Sequence, residues 1–348
     1  MTKTKIGIVG HFGGDREFYD GQTVKTKNLY RALQDHYEAD NLKRLDTFGF
    51  RKKLIPFFFD TVKLIFSCKN VVMLPDENGV RVFVPLYSLL NIFLRRKLHY
   101  CVVGGWLPVF LKKHKLVKFF AKRLTGVYVE TSSMKEALEE MGFKNVVLLP
   151  NFKYLDILSK EDLKTTADKP RKLCIFSRIM QEKGVEDAID AVCRINQASN
   201  ETVYELDLYG QIDPGYTERF AEIQKTFPPY IRYMGAVSPE KSVEVLQPYF
   251  ALLFPTKFYT EGIPGTLIDA YAAGVPVITS LWVNHKDIFK EDITGWGYSF
   301  GDDEGLISLL QRAADAPESF LAMKESCLKE AELLAPEIAV QNLLQRIC

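Results

Sequence analysis

Short apolar runs alternate with helix-length stretches twice along the 348 residues, and that alternation limits the chain to a few architectures. The first series predicts strands at Ile6–Val9, Val71–Leu74, Cys101–Val103, Val127–Val129 and Val146–Leu149, with helices around 23–33 and 134–141. A polar stretch, Ser159–Lys172, then reads as a linker. The second series predicts strands at Leu173–Phe176, Tyr204–Tyr209, Ile231–Met234, Ala251–Phe254 and Val275–Thr279. Helices over 185–196, 216–227, 238–246 and 266–273 separate them, and three more, at 303–314, 317–333 and 336–346, close the chain. Strands alternating with helices build parallel sheets with helical crossovers. The expected fold is therefore α/β, with two Rossmann-like, doubly wound domains facing a cleft. Residues 1–158 form the first, 159–332 the second, and a helix in 333–348 crosses back to the first.

Composition is that of an ordinary globular chain, 47% hydrophobic and 26% charged. The formal net charge of +1 hides an asymmetry. Residues 1–150 hold 25 Lys and Arg against 14 Asp and Glu, and the remainder holds 20 against 30. A basic half of this kind is expected to meet something anionic. The six cysteines form no Cys-x-x-Cys pair and read as reduced thiols of a cytoplasmic protein. No signal peptide is visible, and the longest apolar runs, near 54–66 and 85–94, are too short to span a bilayer.

The string FPTKFYTEGIPGTLIDAYAAGVPVITS, Phe254–Ser280, carries the strongest chemical signal. It reads as a strand, a loop, a short helix and a second strand. Gly262 and Gly265 let backbone approach a ligand closely. Thr266 lies where the helix begins, and helix N-termini attract phosphate. Glu261 and Asp269 can hydrogen-bond hydroxyls. Phosphate together with hydroxyls suggests a sugar nucleotide; the plainer alternative is any strand–loop–helix of a doubly wound domain. After the first strand of the second half, Arg178 offers a bidentate fork and Lys183 a point charge, suited to a diphosphate unless both are simply solvated.

Arg178-x4-Lys183-Gly184, Glu261-x7-Asp269 and Ala272-x-Gly274-x-Pro276-Val277 together resemble the family 4 retaining glycosyltransferases, which have the GT-B fold. The resemblance covers 170–300 well and extends loosely to the N-terminal half. It implies that Arg178 and Lys183 hold the donor diphosphate and that Glu261 contacts the transferred sugar. Backbone at Gly262, Ile263 and Gly265 touches the sugar, Thr266 and Leu267 meet phosphate, and Asp269, where the family usually has Glu, grips the ribose. Gly210 and Gly235 line the nucleotide base, and Gly21 is preferred over Gly13-Gly14 as the family's N-terminal glycine site, with Gln22 in place of a second glycine.

On the acceptor side, His11, Trp106 and Glu130 are candidates, while His99 and His114 read as surface positions. The family's usual front-face route needs cations rather than a protein base. Neither an Asp-x-Asp motif nor a His/Cys ligand cluster is present, so no metal and no other cofactor is expected. The expected reaction transfers a sugar from a nucleotide diphosphate donor to a glycan or lipid-linked acceptor in surface polysaccharide or glycolipid synthesis. Rival readings are a sugar-nucleotide epimerase on the same fold and a catalytically inactive nucleotide-sugar binding protein. Residues 50–125 interleave basic and apolar side chains, which suits peripheral docking to an anionic inner membrane face. No nucleic-acid-binding module is recognisable.

Overall fold

The computed structural model describes residues 5–347 except Glu17, Tyr19 and Asp303. Cys348 and the predicted helix start at Asp303 therefore lie outside the described residues. The chain divides into two compact units, one of residues 5–154 and 334–347, the other Leu155–Leu333.

The first unit has six strands, β1 (Ile6–Gly10), β2 (Leu42–Asp46), β3 (Asn70–Leu74), β4 (Lys97–Cys101), β5 (Gly126–Val129) and β6 (Val146–Leu148). They pair in parallel in the order β2-β1-β3-β4-β5-β6. Helices α1 (Gly21–Gln34), α2 (Leu54–Ser67), α3 (Glu77–Leu90), α4 (Leu107–Lys113), α5 (Lys115–Ala121) and α6 (Ser132–Glu140) connect them. Alternate strand residues feed two cores, as the pleat requires. Val71, Met73, Val127 and Val129 pack under α2 to α6. Val72, Leu74 and Tyr128 pack on the opposite face with Leu29 and Leu33 of α1 and with Val340, Leu343 and Ile347 from the end of the chain.

The second unit pairs β7 (Arg171–Phe176), β8 (Tyr204–Tyr209), β9 (Ile231–Gly235), β10 (Ala251–Phe254), β11 (Val277–Leu281) and β12 (Gly295–Ser299). The order β12-β11-β10-β7-β8-β9 is again all parallel. Its helices are α7 (Val185–Ser199), α8 (Thr217–Gln224), α9 (Ser242–Leu246), α10 (Gly265–Ala272), α11 (Gly305–Asp315), α12 (Pro317–Leu321) and α13 (Lys324–Leu333). Two short helices, α14 (Pro336–Ala339) and α15 (Gln341–Ile347), follow and belong to the first unit.

Both sheets are thus Rossmann-like, and each reverses its winding once, between β1 and β3 and between β10 and β7. In open α/β sheets the crevice beyond the strand ends at such a reversal is where ligands bind. The expectation of two Rossmann-like, parallel-sheet domains holds, with local corrections. The strand predicted at Cys101–Val103 is β4, ending where that prediction began, and β2 and β12 were not anticipated. The predicted helix over 317–333 is two helices, α12 and α13, and that over 336–346 is likewise two, α14 and α15. Among the described residues no helix is long and apolar enough to cross a membrane.

Candidate active site

The winding reversal of the second sheet brings the loop after β7 beside the loop after β10. The first carries Arg178 and Lys183, and the second carries Glu261. Gly184 lets the two loops touch. It has φ +69°, and a Cβ there would lie 2.0 Å from the Pro255 carbonyl oxygen. The Lys257 amide donates to the Glu182 carbonyl at 2.8 Å across the same junction.

That contact sets Lys183 against Glu261 in a direct ion pair, with side chains only 18% and 16% exposed. The Lys183 ammonium also lies 5.4 Å from the Phe254 ring centroid and 5.0 Å from that of Phe258, a cation–π cradle. Thr256 donates its hydroxyl to Glu261 Oε1 at 3.2 Å, and Asn284 Nδ2 donates to the Glu261 carbonyl. Ser280 donates to the Thr256 carbonyl at 2.7 Å and Thr279 to that of Phe254 at 3.0 Å. The Glu261 loop is therefore fastened to β10 and β11 along its length. Thr256, Asn284 and the two phenylalanines were not singled out in the sequence. The aromatic spacing around Thr256 was visible, but its partner Lys183 is distant in sequence.

Arg178 is exposed and reaches Asp213 at 3.4 Å. It stands on a strip where Ile179 and Ile212 bridge, so the loops after β7 and β8 are joined. Gly210 at the end of β8 is required there: φ is +143°, and a Cβ would meet the Ser177 carbonyl oxygen at 1.8 Å. Its amide donates to the Gly235 carbonyl at 2.9 Å.

The start of α10 is anchored by the Thr266 hydroxyl, which donates to the Phe176 carbonyl at the end of β7. Gly262, Ile263 and Leu267 are buried, so only their backbones could face a ligand. The Leu267 amide already donates to the Pro264 carbonyl at 3.1 Å. Asp269 is 1% exposed and turned toward α9, where the Ser242 hydroxyl donates to Oδ1 at 2.9 Å. Lys183 and Glu261 are thus brought together, while Asp269 is buried against α9.

In the first unit the candidates separate. His11 follows β1, with Nδ1 2.7 Å from Thr23 Oγ1, and Thr23 in turn donates to Asp20 at 2.8 Å. That second bond uses the Thr23 proton, so His11 Nδ1 is the donor. Gly21 is the first residue of α1, behind its N-cap Asp20, with open space around its Cα. Trp106 is half-buried, donating Nε1–H to the Val103 carbonyl at 2.8 Å. Two sequence readings need correction. Glu130 does not face outward: it is 3% exposed and ion-paired to Lys25 of α1 at 2.5 Å, and its Oε1 also accepts the Gly104 amide at 3.1 Å. The neighbouring Thr131 caps α6, its side chain accepting from the Met134 amide. His99 is wholly buried in β4 between Tyr128 and Asn70, and burial pushes its imidazole down to about 3.

Among the described residues no group of three or more His, Cys, Asp and Glu is arranged to hold a metal.

Residues 170–315 match the family of glycosyl transferases group 1. An amylovoran biosynthesis glycosyltransferase, AmsK of Erwinia amylovora, is 23% identical over 154 residues, 43% of this chain and 37% of that protein. The match therefore spans little more than a third of that relative's length. Anabaena HepE, solved with UDP and glucose, superposes with a TM-score of 0.76 at 12% identity, covering 98% of both chains. The lipopolysaccharide outer core galactosyltransferase WaaB gives 0.69 at 16%, covering 99% of both. The chain has the GT-B fold, and the part of it that matches the glycosyl transferases group 1 model lies within the second unit.

Proposed function

We propose that this chain is a metal-independent, retaining glycosyltransferase that moves a hexosyl group from a nucleoside diphosphate sugar to a glycan or lipid-linked acceptor in surface polysaccharide assembly. The observation that carries this reading is the Lys183–Glu261 pair at the winding reversal of the second sheet, inside the 170–315 match. A cation and a carboxylate fixed side by side there suit a ligand that is anionic at one end and hydroxylated at the other. AmsK's role in amylovoran biosynthesis and the UDP-glucose bound by HepE support donor and pathway class.

In the proposed step the bond between the anomeric carbon and the diphosphate oxygen breaks. The acceptor oxygen bonds to that carbon on the same face, and its proton passes to the leaving phosphate oxygen. Lys183 and Arg178 stabilise the charge that develops there, as preorganised cations do in a partly desolvated site. Glu261, released from Lys183 as phosphate takes its place, accepts hydrogen bonds from the sugar. Asp269 would exchange Ser242 for the ribose hydroxyls. The acceptor meets the basic first unit, with the protein lying against an anionic inner membrane face.

Nucleoside diphosphate release, measured over a panel of nucleotide sugars with product anomers assigned by NMR, tests the reading. Retention, with turnover unaffected by EDTA, is expected. Inverted product, or turnover that EDTA abolishes, would count against it.

A further inference from the structure

Thirteen of the twenty large apolar side chains exposed among the described residues lie between Phe48 and Phe119. That clustering along the sequence sets the first unit apart, because exposed apolar residues are ordinarily scattered singly. Helix α2 shows it most clearly. Its inward face is Thr61, Leu64 and Ile65. A surface helix should be polar on the other side. Here Ile55, Phe59 and Phe66, spaced i, i+4, i+11, are 73%, 66% and 58% exposed.

The stripe continues beyond α2. Arg96 Nη2 donates to the Phe66 carbonyl at 3.0 Å and so ties the segment after α3 to the end of α2. In that segment Ile92 is 62% and Phe93 90% exposed. Helix α5, packed against α3, adds Leu116 at 64%. All these helices cover the same face of the first sheet.

The charges beside the stripe say what covers it. Arg51, Lys52 and Lys53 precede α2, Arg95 follows Phe93, and Lys112 to Lys118 flank Leu116. Among the described residues, ion pairs of the first unit form at Lys25, Arg81 and Lys135, and no ion pair is seen at Arg51, Lys52, Lys53, Arg95 or the lysines at 112, 113, 115 and 118. Cations framing exposed aromatic and aliphatic side chains complement a surface that is anionic outside and hydrocarbon beneath.

We propose that α2 and the turn at Ile92–Phe93 insert into the headgroup boundary of an anionic bilayer, with the flanking cations on the lipid phosphates. The helix lies in the plane of the membrane rather than through it, as its 14 residues require. Docking is then partly hydrophobic and outlasts salt that would dissolve a purely electrostatic contact. This rests on the membrane-facing acceptor proposed above, but the two can fail separately, because vesicles without acceptor report docking and soluble donor reports the second unit.

The test is co-flotation with phosphatidylcholine vesicles, with and without phosphatidylglycerol, for the full chain and for the triple variant Ile55→Ser/Phe59→Ser/Phe66→Ser. All three side chains are exposed, so the variant should keep the thermal midpoint and the nucleotide-sugar thermal shift of the parent. The parent is expected to float with anionic vesicles only, and the variant to bind at least about tenfold more weakly. Raised salt should weaken the parent and abolish the variant's residual binding. Equal binding by parent and variant would overturn insertion, as would a parent that ignores anionic vesicles. A parent dimer that the substitutions make monomeric, without vesicle binding, would assign the stripe to a second copy of the chain instead.

Discussion

Lys183→Ala separates what the Lys183–Glu261 pair does for the empty protein from what it does for the reaction. Exposed ion pairs contribute about 0–1 kcal/mol, whereas removing one partner of a buried pair costs about 3–5 kcal/mol. With side chains 18% and 16% exposed, this pair lies between those limits. Removal of Lys183 leaves Glu261 with the Thr256 hydroxyl, and removal of Glu261 leaves Lys183 with two aromatic faces. Each single substitution is therefore expected to cost about 2 kcal/mol of stability. The double variant strands no charge, so it should cost about 1–2 kcal/mol less than the sum. Urea denaturation of the four proteins without ligand reads this coupling directly. Turnover should behave differently: loss of a cation aimed at the leaving group is expected to lower kcat by about 100- to 1,000-fold. Stability effects that add within about 0.3 kcal/mol would refute the ion pair, and unchanged turnover in Lys183→Ala would refute its role.

Three further outcomes follow from buried features. Lys324 of α13 is 2% exposed and donates to the Tyr249 and Gly274 carbonyls at 3.1 and 3.3 Å, and burial pushes its ammonium down to about 8. The unfolded chain then holds more protons than the folded one between about pH 8 and 10.5, so stability from this group rises with pH across that window, by about 2 kcal/mol from pH 7.5 to 9.5. Lys324→Met should lose that rise in denaturant titrations at the two pH values; a parallel rise in parent and variant would contradict it. Glu130→Ala strands Lys25 in the core and should destabilise by about 3–5 kcal/mol, more than Glu130→Ala/Lys25→Met, as thermal unfolding would report. Gly184→Ala must displace the Pro255 carbonyl, so it should disturb the Lys183–Glu261 junction and raise the donor KM; an unaltered KM would show the junction to be slack.

Much of the second unit was legible because its central strands are short, apolar and bounded by glycine and proline. Strands β8 and β10 fall where the pattern put them. The edge strands were not legible, for a physical reason. Strand β2, Leu-Lys-Arg-Leu-Asp, is only half covered, and β12, Gly-Trp-Gly-Tyr-Ser, is glycine-rich, so neither carries the apolar run that marks a central strand. Strand β4 begins Lys-Leu-His, and that polar start shifted its predicted position and left His99 looking like a surface residue.

The site followed the same division. Arg178, Lys183 and Glu261 were picked out as candidates from their spacing within one unit, and the structure places Lys183 beside Glu261 while Arg178 reaches Asp213. That Lys183 and Glu261 pair with each other depends on how two loops meet at Gly184, which no local pattern encodes. Glu130 reads as a cleft carboxylate until its counterion, Lys25, arrives from 105 residues away. Asp269 was read as a ribose ligand, but the hydroxyl of Ser242, 27 residues earlier, donates to its Oδ1, a contact that no local pattern shows.

The most direct test of the central claim is nucleoside diphosphate release from a nucleotide sugar that the parent protein binds, with Lys183→Ala and Glu261→Ala assayed alongside. A donor site predicts release and transfer by the parent and at least about 100-fold less by either variant. Binding by the parent without any release would contradict it and make the chain a nucleotide-sugar binding protein.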